Sequence, residues 1–243
     1  MAYDALIYHR DMLRQLLDLV SVCIRGGDIC VGFTRISNQI QRIAKTCKGG
    51  DRMISKEIIA EIDRVIKSVW VMNIRQDYMN GMLLYEDSLK CALYYHLRKR
   101  LEKLLRDNHL RIYGEFTFPA LKYRADLVIA EVDDNWDITR SLKESVKDIV
   151  AIIELKYTDG VDSSADVWIK NDLRKFKRYF QAGGYDCQFY FGIIYEVECS
   201  SLAWVDGRSV ARGTWGYGRV TELDAGYING TMMFEVNSHN GLN

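Results

Sequence analysis

The chain has 243 residues, 48% of them hydrophobic and 27% charged, with 33 basic residues against 33 acidic ones. That composition is that of a soluble globular protein with a substantial core, and the zero net charge excludes a histone-like, purely electrostatic binder. It does not exclude a local basic patch beside an acidic site, which the sum conceals. No run of 18 apolar residues occurs, and the N-terminal stretch carries His9, Arg10, Asp11 and Arg14. Neither a membrane span nor a signal peptide is therefore expected, and the location is read as cytoplasmic. The six cysteines, at 23, 30, 47, 91, 187 and 199, form no CxxC pair and read as reduced, mostly buried thiols.

Apolar residues recur at helical spacing over 4–24, with Gly26-Gly27 as the stop, and again over 33–46, where Ile36, Ile40 and Ile43 are in step before Gly49-Gly50. Ser55-Lys56-Glu57 opens a third helix, with Ile58, Ile59, Ile62, Val65, Ile66 and Val69 in step. These segments make 1–78 a helical N-terminal region, followed by a second domain over 79–243. A fourth helix is predicted over 81–107. Its stripe of Leu89, Leu93, Leu97, Leu101 and Leu104, extended back one turn, lands on Glu86, an acid on an apolar face.

After Asn108 the pattern becomes one of strands. LRIYGEFTF (110–118) alternates, and Pro119 separates it from YRADLVIAEV (123–132). A polar connection follows, in which Ser141 and Glu144 have capping-box spacing for a short helix. DIVAIIELKY (148–157) reads as a buried strand, 165–181 as a helix rich in lysine and arginine, and CQFYFGIIYEV (187–197) as another buried strand. WGYGRV and TMMFEV, beyond residue 200, are taken as peripheral strands. The order predicts an α/β (α+β) layer arrangement with a mixed sheet.

Side chains two apart on a strand share a face, so Ile152, Glu154 and Lys156 lie together, as do Asp126, Val128 and Ala130. If the two strands pair, Asp126 comes near Glu154, and Glu86 can join from the helix. Carboxylates crowded in this way repel unless they take up protons or a cation. An all-oxygen set suits Mg²⁺ or Mn²⁺, which retains waters and leaves room for a phosphate oxygen. Lys156 beside acids is suited to positioning and electrostatic stabilisation more than to acting as a base. Glu115 on the first strand is a candidate further acid, and Arg124 shares the face of Asp126. Lys170, Arg174 and Lys177 on the basic helix are candidate phosphate contacts, with binding weakened by salt.

A helix carrying Glu86, then Arg124-Ala125-Asp126 on a strand, Glu154-Leu155-Lys156 on the next, a basic helix and a further strand together resemble the PD-(D/E)XK nuclease superfamily, the restriction-endonuclease-like fold. The resemblance covers roughly 85–198. Asp126 matches the family's aspartate, Glu154 and Lys156 its (D/E)-x-K, and Glu86 the acid of the first core helix, while Ala125 stands where the family name has proline. It implies an αβββαβ core and Mg²⁺- or Mn²⁺-dependent phosphodiester cleavage, most readily of DNA. Asp126, Glu154 and Glu86 would be metal ligands and Lys156 the catalytic lysine, and a homodimer is one assembly it allows. Two other readings use the same residues: a catalytically inactive nucleic-acid-binding or assembly module on this fold, and an interaction protein built around the N-terminal helices.

Overall fold

The computed structural model describes residues 54–118, 123–133, 141–159, 165–183 and 187–242. The helices expected over 4–24 and 33–46 lie outside these residues. The chain divides into a unit over 1–53 and a unit over 54–243. The helix after Ser55, grouped by sequence with the N-terminal helices, therefore belongs to the same compact unit as the sheet.

That helix, α1, spans Lys56–Ser68 and begins at Ser55, whose hydroxyl oxygen accepts the Ile58 N–H at 3.4 Å. It buries Ile62, Val65 and Ile66, then runs on through a π-helical turn, Val69–Ile74, that buries Val69, Trp70 and Ile74. A short helix α2 (Arg75–Met79) ends at Asn80 and Gly81, where the left-handed φ of 69° favours glycine. Helix α3 spans Glu86–Asp107, starting five residues later than its periodicity suggested. Ser88 sets that start: its hydroxyl accepts the Leu84 and Tyr85 N–H groups at 2.9 and 3.0 Å and donates to the Tyr85 carbonyl at 2.7 Å. The buried stripe ends on Leu105, not Leu104.

Six strands form one mixed sheet in chain order: β1 (Leu110–Thr117), β2 (Arg124–Val132), β3 (Val146–Thr158), β4 (Gln188–Glu198), β5 (Val220–Ile228) and β6 (Thr231–Ser238). The pairs β1–β2, β2–β3 and β5–β6 are antiparallel, whereas β3–β4 and β4–β5 are parallel. Between β3 and β4 the chain passes through α4 (Ala165–Gly183), as a parallel connection requires. The 141–145 segment forms a 3₁₀ turn (Leu142–Ser145) without the side-chain cap that the Ser141/Glu144 spacing suggested.

The sheet separates two apolar layers. Leu127, Ile129, Ile153, Leu155, Tyr190 and Ile194 pack with α1, Trp70 and α3. Val128, Ala130, Ile152, Phe189, Phe191 and Ile193 pack with Phe176 and Tyr179 of α4. A bulge between Ile129 and Ala130 in the β2–β3 pairing puts Val150 in the first layer, opposite Ile152. The strands beyond residue 200 were expected at the periphery. Instead β5 lies inside the sheet between β4 and β6, buried from Val220 through Gly226. Glu222 and Asp224 interrupt its apolar pattern yet are fully buried. The WGYGRV stretch contributes only Val220 to a strand. Among the described cysteines, Cys187 is buried, Cys199 half-buried and Cys91 exposed on α3, and all three are free thiols.

Candidate functional site

The β2–β3 register decides the site. Leu127 pairs with Ile153 and Val128 with Ile152, so one further step sets Asp126 opposite Glu154. Asp126 is fixed by the Leu155 N–H, which donates to Oδ2 at 2.8 Å. Glu154, only 1% exposed, accepts the Tyr179 hydroxyl on Oε1 at 3.1 Å. Burial lifts its carboxyl. Lys175 and Lys156 pull it back, the charges of Asp126 and Asp172 raise it again, and it settles at about 8.

Lys156, two residues along β3, is the meeting point of the layers. Its ammonium lies 3.2 Å from Glu86 Oε2, at the first turn of α3, and 3.4 Å from Asp172 Oδ2 on α4. It also donates to the Leu155 carbonyl at 2.9 Å. Burial opposes its charge, but Asp172, Glu86 and Asp126 outweigh burial and hold its pKa above the ordinary lysine value. It is therefore a cation with its proton firmly in place, not a base.

Three further groups belong to the constellation and were not singled out from sequence. Lys175 stands 2.6 Å from Asp172 Oδ1 and 3.5 Å from Glu154 Oε2. Asp172 is buried, and its Oδ2 makes no hydrogen bond among the described residues. Lys90, one turn after Glu86, is 3.1 Å from Asp126 Oδ1 and also contacts Glu115. The Glu86–Lys90 spacing, which ordinarily signals a surface pair along a helix, here sends each partner to a different strand. On α4, Asp172, Lys175 and Tyr179 recur at helical spacing with the buried Phe176, and that polar content on an apolar face was the available signal.

Glu115 is close to the site as expected, but its charge is taken by cations: Lys90, and Arg124 whose Nε lies 2.5 Å from Oε2. Glu115 is unpaired between Gly114 and Phe116 in the β1–β2 register and has a φ of 54°, a left-handed conformation that costs a residue with a side chain. Arg124 thus pairs with Glu115, not with its face-mate Asp126. Lys170, Arg174 and Lys177 are exposed, and Arg174 bonds Asn171 at 2.9 Å. At about 100° per helical residue, all three turn away from the face that carries Asp172 and Tyr179, so the basic group of α4 that reaches the carboxylates is Lys175.

The result is a compact set of carboxylates, partly neutralised by ammonium groups. Among the described residues no three Asp, Glu, His or Cys side chains are arranged to hold one metal ion. Two carboxylates, Asp126 and Glu154, face each other, and Glu86 reaches the site through Lys156. A buried carboxyl that retains its proton to about pH 8, facing a second carboxylate, is a feature a hard cation would relieve. The donor chemistry therefore fits Mg²⁺ or Mn²⁺ held by two carboxylates. No family model, curated protein or solved structure matches the chain. Among the described residues no helix is long and apolar enough to cross a membrane.

Proposed function

We propose that this chain is a metal-dependent nuclease with a restriction-endonuclease-like core, hydrolysing phosphodiester bonds of nucleic acid, with DNA as the favoured substrate. One observation carries the reading: the β2–β3 register sets Asp126 opposite Glu154, with the protonated Lys156 on the same face of β3. The helix–β1–β2–β3–α4–β4 order supports it.

In this reading Asp126 and Glu154 would hold Mg²⁺ or Mn²⁺, which would supply Lewis-acid chemistry at a phosphate. Lys156 faces the negative charge that grows on the phosphate during attack. Glu86 and Asp172 orient its ammonium and keep it protonated. Tyr179 donates to Glu154 Oε1 and fixes the orientation of its carboxyl group. Lys90 and Lys175 balance the carboxylates when no cation is present.

The test is incubation with Mn²⁺ or Mg²⁺ and a panel of single-stranded, double-stranded and branched DNA and RNA. Metal-dependent cleavage abolished in Asp126→Ala and Lys156→Ala supports the reading, and cleavage undiminished in both variants sinks it. The second reading, a non-catalytic nucleic-acid-binding module on this fold, is favoured by the same lysines, which leave the carboxylates partly neutralised without an ion. It predicts nucleic-acid binding with neither cleavage nor a metal-induced rise in melting temperature.

A further inference from the structure

Both oxygens of Asp126 and both oxygens of Glu154 are engaged, in two different ways. One oxygen of each is met by a group fixed in the fold. The Leu155 N–H donates to Asp126 Oδ2 at 2.8 Å, and the Tyr179 hydroxyl donates to Glu154 Oε1 at 3.1 Å. The other oxygen of each faces an ammonium at the end of a flexible side chain. Lys90, from α3, stands 3.1 Å from Asp126 Oδ1, and Lys175, from α4, stands 3.5 Å from Glu154 Oε2.

Each lysine also meets a second acid outside that pair. Lys90 contacts Glu115 on β1, and Asp87 Oδ1 lies 3.4 Å away. Lys175 stands 2.6 Å from Asp172 Oδ1, nearer than it stands to Glu154. Glu115 reaches Lys90 from the unpaired, left-handed position in β1, a conformation kept at some cost. An ammonium with two acidic partners can leave one without becoming a buried unpaired charge. Two ammonium groups also carry the charge of one divalent ion, so trading them for it leaves the balance at the pair unchanged.

We propose that Lys90 and Lys175 are displaceable counter-ions of the Asp126–Glu154 pair: they withdraw from Asp126 Oδ1 and Glu154 Oε2 when a divalent cation enters, Lys90 onto Glu115 and Lys175 onto Asp172. The proposal rests on the reading of Asp126 and Glu154 as metal ligands and adds how access to them is regulated. Lys90 and Lys175 are positioning residues in it, and Glu115 and Asp172 receive the lysines without being ligands. Cation affinity is then set by competition with two ammonium groups, so removing a lysine strengthens binding. A lysine that merely stabilised the fold would have the opposite effect.

Titration calorimetry of Mn²⁺ into the full chain, without nucleic acid, tests it. Lys90→Met and Lys175→Met are expected to bind Mn²⁺ about tenfold tighter than wild type. Lys177→Met, at an exposed position of α4 turned away from the carboxylates, should bind as wild type does. Glu115→Gln keeps the side-chain shape but removes the charge that receives Lys90, and it should bind more weakly. Adding Lys90→Met to Glu115→Gln should restore the tight binding. If wild type binds Mn²⁺ and both Lys90→Met and Lys175→Met bind it equally or more weakly, the exchange is overturned and the nuclease reading stands. Absence of Mn²⁺ binding in wild type and in both lysine variants overturns the two together.

Discussion

Lys156 and Glu154 share one face of β3 and differ in how their surroundings treat charge. Glu86 and Asp172 keep the Lys156 ammonium charged, so its role is electrostatic, and Lys156→Ala should lower metal-dependent cleavage by about 100-fold or more. Far-UV circular dichroism of the variant should match wild type. Glu154 behaves in the opposite way. The folded protein retains its proton up to about pH 8, whereas an ordinary glutamic acid releases it near 4.5. The stabilisation linked to that proton is fully present below 4.5 and is lost as pH rises through about 8. The metal-free melting temperature should therefore fall across this window, and Glu154→Gln should flatten the fall. Asp224, lifted to about 9 by burial and by Glu222, adds a decline of its own over a wider pH window, which persists in the variant. A divalent ion competes with the Glu154 proton, so Mn²⁺ should raise the melting temperature more at pH 8 than at pH 6, with about 2.7 kcal/mol of stabilisation at 100 times Kd.

At the scale of elements, β3 is positioned by close packing on β4. Gly192 pairs with Leu155, the residue between Glu154 and Lys156. A Cβ at Gly192 would come within 2.7 Å of Leu155 Cδ2 and 3.4 Å of the Trp70 ring. Gly192→Ala should destabilise the fold by about 1–3 kcal/mol, read as a lower urea midpoint. Because the displaced Leu155 also presents its N–H to Asp126, cleavage should drop more than stability alone explains. Leu155→Val, which shortens the colliding side chain, should recover part of both losses.

Across the whole unit, Asp63 ties α1 to the sheet and to the segment after β6. Its Oδ1 accepts the Tyr190 hydroxyl at 2.9 Å and the Asn240 amide at 2.6 Å, and Lys67 stands 2.6 Å from Oδ2. With 2% exposure, Asp63 is a buried charge whose partners all lose when it is removed. Asp63→Ala should cost about 3–5 kcal/mol, measured by equilibrium unfolding. A loss below 1 kcal/mol in that measurement would show that Asp63 does not tie these elements together. The same logic applies to Glu222, which joins His239, at 2.8 Å, to the backbone of Trp204 and Val205.

Periodicity alone located α1, α3, α4 and the first four strands, because each has one face or both in an apolar layer and the pattern repeats at 3.6 or 2 residues. It also put Glu154, Lys156 and Asp126 on faces that converge once β2 and β3 pair. It failed on β5, since Glu222 is met by residues 204, 205 and 239 and Asp224 by Asn237, with burial favouring the protonated Asp224 carboxyl, and no local pattern can report such contacts. It failed also on Lys90, Asp172 and Lys175, charged residues on helices whose partners lie on distant strands. Amino-acid order determined which residues could face a site; the strand register, and the orientation of α3 and α4 on opposite faces of the sheet, decided which charges meet there.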